Sequence, residues 1–161
     1  MHEFCQHLEQ AKHNCELAHL LEDSFKDKYN DWVVTTCFYA SLHLVEAMIF
    51  HNTNLRVPSS AYPRYGSKNL VAKTGIHHSF ELENDYGKSG HELRDCILKD
   101  NQWFFKRVGD TCRFLRVLSQ SARYDCQTMT LEDTSESFDR LFDAVTDFNS
   151  WAISKSLATF A

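Results

Sequence analysis

Tyr39, His43 and Glu46 stand at steps of four and three within FYASLHLVEA, residues 38–47. On a helix that spacing stacks a phenol, an imidazole and a carboxylate along one face. In an otherwise apolar helix the stripe has two readings: a satisfied set of core hydrogen bonds, or the floor of a polar cleft. His91 and Arg94, three apart in SGHELRD, form a second group on one helical face. Two donors over the first turns of a helix suit a phosphate, because the dipole and the free backbone N–H groups favour an anion there. The plainer alternative pairs Arg94 with a nearby carboxylate and leaves His91 in water. Arg123 and Tyr124, in LSQSARYDC, are the third group. An arginine at a helix C-terminus interacts favourably with the dipole, so capping alone accounts for it.

Other chemistries find less support. His2 and Cys5, with Cys15 and His19, look like two halves of a zinc site. On one helix, however, ten residues separate Cys5 from Cys15 by roughly 15 Å, far beyond the reach of metal–ligand bonds. No metal or other cofactor is expected. The chain has no GxSxG turn and no glycine-rich phosphate loop. Its cysteines fall mostly on apolar helical faces, where thiols are usually inert.

The elements that must position these groups are helices. The 161 residues suit one domain, and 43% hydrophobic with 24% charged residues is a globular composition. Only five glycines and two prolines, Pro58 and Pro63, interrupt the chain, which favours long helices. A net charge of −5 argues against a broad, non-specific nucleic-acid binder while leaving a local basic site open. Six cysteines without a CxxC pair, no leader pattern and no uninterrupted apolar run of bilayer length predict a cytoplasmic protein with reduced thiols and no membrane association.

Phe4, Leu8, Ala11, Cys15, Ala18 and Leu21 predict an amphipathic helix over about 2–26. A second helix, capped by Asn30 or Asp31 and running to about His51, is apolar nearly all round from Trp32 to Phe50 and belongs mid-bundle. Periodicity fails from Asn52 to about Gly90, a long irregular segment with room for a short helix near 69–74. Ser89 and Glu92 then form a capping-box pattern for a third helix. After KDNQ a fourth runs to near Cys126, with Val108, Cys112, Leu115, Ser119 and Ala122 inward. Thr130 caps the fifth, whose acidic first turns suit the dipole. Phe138, Leu141, Phe142, Val145, Phe148 and Ala152 are its expected buried face. Phe38, Leu42, Val45, Leu115, Phe142 and Val145 are expected in the core.

DWVVTTCFYASLHLVEA, HELRDCIL and LSQSARYDC, in that order and followed by a capped last helix, resemble the HEPN superfamily. The likeness covers most of the chain outside about 52–88. It implies an up-and-down bundle of about five helices that dimerises. Many HEPN proteins are metal-independent ribonucleases of defence or toxin–antitoxin systems, with an R-x4-6-H motif completed across the dimer. Arg94-Asp95 looks like the start of that motif, but Lys99, Asp100 and Asn101 occupy the positions that require histidine. Without that imidazole the usual acid/base partner for RNA cleavage is missing.

Three readings follow. The first is a catalytically degenerate HEPN-like homodimer that binds a nucleotide, RNA or protein partner through His91, Arg94, Arg123, Tyr124, Tyr39, His43 and Glu46. The second is an active endoribonuclease built on His91 and Arg94. The third is an interaction module whose polar stripe is structural.

Overall fold

A computed structural model describes residues 2–25, 27–51, 90–125 and 128–160, apart from the side chains of residues 2, 3, 90–93 and 96. Among them are five α-helices and no strand: α1 (His2–Ser24), α2 (Asn30–His51), α3 (Gly90–Asp100), α4 (Gln102–Tyr124) and α5 (Leu131–Ser154). The all-α bundle expected from periodicity is the fold. The irregular segment, its short helix and the Ser89 cap lie outside the described residues, as does Cys126.

α2 is the central helix. Val33, Val34, Cys37, Phe38, Leu42, Leu44, Val45, Met48 and Ile49 are all buried on it, spread around every face. No single stripe serves such a helix, so neighbours must surround it: α1, α4 and α5 all pack on α2. By length and composition alone α2 holds an 18-residue window apolar enough to cross a membrane, although Glu46 interrupts its apolar run. Most of that window is covered by the other helices.

α1 presents Phe4, Leu8, Ala11 and Ala18 to the core. It runs antiparallel to α5: Phe4 stacks on Phe148 at 6.2 Å, and His19 on Phe138 at 4.5 Å. At the start of α5 the Thr130 hydroxyl accepts from the Asp133 N–H, and the Asp133 carboxylate accepts from the Thr130 N–H at 2.7 Å. This reciprocal cap satisfies two N–H groups that the first turn leaves open.

α5 buries Thr134, Ser137, Leu141, Ala144, Phe148 and Ala152. Of the expected face, Leu141, Phe148 and Ala152 are buried and Phe138 and Val145 pack partly buried against the core, but Phe142 is 73% exposed. Periodicity fixes which residues share a face, but α5 carries two overlapping apolar faces and only packing selects between them. Trp32, at the start of α2, is likewise exposed.

Asn101 joins α3 to α4. Its side-chain amide donates to the Ile97 carbonyl at 2.9 Å, and its own carbonyl accepts from the N–H groups of Phe104 and Phe105. One turn on, Lys106 leaves helical geometry with φ 47° and ψ −130°, which kinks α4. Beyond the kink Gly109 is buried, and a Cβ there would come within 2.8 Å of the Phe105 Cβ. The close approach requires glycine.

Candidate functional site

α2 holds Glu46 within the core, and α3 brings Arg94 to it. Arg94 is 3% exposed and Glu46 fully buried. The Arg94 Nε and Nη2 groups donate to the same carboxylate oxygen, Oε1, at 2.7 and 2.5 Å. The other oxygen, Oε2, is buried with no hydrogen-bond donor among the described residues. Beside Arg94 on the same helix, Asp95 pairs with Arg116 of α4, so two ion pairs fasten α3.

Cys112 of α4 sits in this surrounding. Burial pushes its thiol up to about 11, opposed by the Arg94 charge and a hydrogen bond with Ser41. Burial raises Cys37 further still, and raises Cys15 with help from the Glu16 charge. A thiol held neutral is a poor nucleophile, which matches the inert role expected of helix-borne cysteines.

Tyr39 and His43 turn elsewhere. The Arg123 Nη1 group donates to the Tyr39 hydroxyl at 3.3 Å, while its Nε donates to the Ser119 carbonyl at 3.1 Å. The guanidinium also lies over the rings of Tyr39 and Tyr124, at 5.8 and 5.0 Å. Arg123 therefore both caps α4 and ties it to α2. Tyr124 itself is exposed.

His43 faces α1. Its Nδ1 lies 2.9 Å from Nδ1 of His7, and the ring centroids are 5.2 Å apart, so the two nitrogens meet nearly head-on. One Nδ1 must carry the hydrogen and the other accept it, which couples the tautomers of the two rings. His7 is buried and stacks on Phe50 at 5.0 Å.

The single stripe of Tyr39, His43 and Glu46 therefore serves three helices: α4, α1 and α3. Tyr39 meets Arg123 and Glu46 meets Arg94. His43 meets His7 instead of an arginine, because a helical face wide enough for three side chains is shared among neighbours. The His91 side chain lies outside the described residues. Arg94 is enclosed with Glu46, so an anion could reach its Nε and Nη2 only by displacing that carboxylate.

The sequence reading missed His7. Its position three residues after Phe4, on the buried side of α1, is the signal that could have found it. Among the described residues no cluster of three or more His, Cys, Asp or Glu could hold a metal ion. Compared with models of protein families, with characterised proteins and with solved structures, the chain gives no match.

Proposed function

We propose that this chain is a HEPN-like domain without ribonuclease activity, which works by binding, as a homodimer. The observation that carries this reading is the enclosure of Arg94. The only arginine that resembles the start of the ribonuclease motif is 3% exposed and bound through two of its N–H groups to Glu46. The positions where the motif needs histidine hold Lys99, Asp100 and Asn101, and Lys99 and Asp100 are exposed without an imidazole between them. An arginine committed to the core and a missing acid/base group are what a bundle that has given up cleavage would carry.

The surface of α5 supports association with a second copy. Leu131, Phe142 and Ile153 are 47%, 73% and 67% exposed. They recur every eleven residues, close to three full turns, and so form one outward stripe. Phe142 is its midpoint. An antiparallel pair of α5 helices with a two-fold axis at Phe142 sets Phe142 on Phe142 and Leu131 on Ile153 at both ends. That self-complementarity is what a two-fold interface needs. It also brings Glu132 and Asp133, in the first turn of each helix, toward Lys155 at the end of the other. The resemblance adds nucleotide, RNA or another protein as the class of partner.

Purified protein incubated with RNA in chelator should cut nothing. Metal-independent cleavage that disappears in His91→Ala would replace this reading with the enzyme. Sedimentation should give a dimer that Phe142→Asp converts to a folded monomer. A wild-type monomer at high concentration would remove the homodimer.

A further inference from the structure

His7 of α1 and His43 of α2 meet where two packed helices need no polar contact. Phe4, Leu8 and Ala11 are buried on α1 around His7, and Leu42, Leu44 and Ala47 flank His43 on α2. His7 is itself only 8% exposed, with its ring stacked on Phe50. Two apolar side chains of similar size would join the helices as well, without burying polar atoms. The imidazoles instead place a titration inside the α1–α2 contact.

The geometry limits how many protons that contact can hold. The two Nδ1 atoms lie 2.9 Å apart and meet head-on, so there is room for one hydrogen between them. With both rings neutral, one Nδ1 donates and the other accepts. A first added proton goes to the outer nitrogen, Nε2, of the donor ring. The contact survives it as a charge-assisted hydrogen bond from an imidazolium to a neutral imidazole. A second proton has only the accepting Nδ1 to go to. It would set two N–H groups head-on and two like charges side by side, in a contact largely closed to water. This limit follows from the Nδ1 atoms alone, whatever the Nε2 atoms meet.

We propose that the His7–His43 pair is an acid-released latch, which holds the first turns of α1 on α2 while it carries one added proton or none and opens when it takes two. The latch keeps Phe4 seated, one turn before His7. Its ring lies 6.2 Å from Phe148, 6.4 Å from Trp151 and 6.3 Å from His51. Release of His7 therefore unseats Phe4 and uncovers an apolar face of α2 and α5. Charged and titratable groups reach the pair's helices from several sides. One turn before His43, Tyr39 accepts from Arg123 of α4, and one turn after it Glu46 is bound by Arg94 of α3. Glu3 stands four residues before His7 on α1, and Glu9 is exposed two residues after it. His51 of α2 meets Phe4 and Trp151 of α5 edge-on. None of these adds room for a hydrogen between the two Nδ1 atoms. The latch uses neither the Arg94–Glu46 pair nor the α5 stripe, and stands whether or not the domain is a HEPN-like homodimer.

A free imidazole takes its proton near about pH 6.5. The second proton enters the closed pair only below that, so the latch holds fully above about pH 6.5 and weakens as pH falls from there. With one proton on the closed pair and up to two on the separated rings, the open fraction should rise at least about threefold between pH 6.5 and pH 5.5. Hydrogen exchange reads this directly. Protection of the amides from Leu8 to Lys12, referred to the free-peptide rate at each pH, should fall by that factor while the α4 amides keep theirs. His7→Phe should be flat over the same interval, since a phenyl ring keeps the stack on Phe50 without a titrating nitrogen. If that variant does not fold, His43→Leu is read in the same way. In the wild type, ¹⁵N spectra of labelled histidine report the protonation of each Nδ1. Unchanged α1 protection over this interval would overturn the proposal, as would an equal fall in α4 or the same fall in either folded variant. Both Nδ1 atoms protonated with α1 still protected would overturn it too.

Discussion

Arg94 and Glu46 form a one-sided pair: two guanidinium N–H groups converge on Oε1, while Oε2 is buried with no donor among the described residues. The attraction between the two charges must offset the desolvation of both, and the second oxygen contributes little to that balance. Such a pair specifies how α3 sits on α2 more than it stabilises the bundle.

Arg94→Ala should cost about 3–5 kcal/mol, because it strands a buried carboxylate. Arg94→Met with Glu46→Leu should recover most of that loss, since an apolar pair of similar volume carries no desolvation cost. Urea denaturation checks both. An Arg94→Ala variant as stable as the parent would mean that the pair is not enclosed.

Lys106→Gly should stabilise the protein by about 1 kcal/mol, because glycine adopts a positive φ without the steric cost that lysine meets. The urea midpoint should rise with no change in slope. Gly109→Ala should act in the opposite sense and cost about 1–3 kcal/mol, since its Cβ would press on Phe105. A tolerant Gly109→Ala would show that the kink relaxes freely.

Leu42→Ala should cost about 2–5 kcal/mol, as expected for a large side chain fully buried in the central helix. Phe142→Ala, measured at a dilution where any dimer has dissociated, should change stability by less than about 0.5 kcal/mol. Equal costs for the two would put Phe142 back in the core.

Alkaline pH should loosen the fold through its buried thiols. Cys112 is raised from 9.0 to about 11 by burial, so over that interval the folded chain holds a proton that the unfolded chain has released. Its contribution is fully present below pH 9 and is lost as pH rises through about 11. The slope is at most about 1.4 kcal/mol per pH unit for one such thiol. Cys112→Ala should flatten the fall in stability between pH 9 and pH 11 relative to the parent. Identical pH profiles would mean that the thiol is open to water.

Periodicity and capping residues determined the helices. The stripe from Phe4 to Ala18, the all-round burial of α2 and the Thr130 cap with its acidic first turn depend on local spacing and local hydrogen bonds, and both are written in the chain. The spacing of Tyr39, His43 and Glu46 likewise announced a polar stripe inside a core helix. What the stripe meets was decided only by the tertiary structure, because three neighbouring helices share one face. Glu46 took Arg94, from 48 residues away, and Tyr39 took Arg123, from 84 away, while His43 took His7 of α1. The choice of Phe148 over Phe142 for the core of α5 was tertiary too, since both lie on apolar faces and only the position of α2 and α1 separates them. The Lys106 kink had no local signal at all: lysine has no preference for positive φ, and the conformation is imposed by the packing around it.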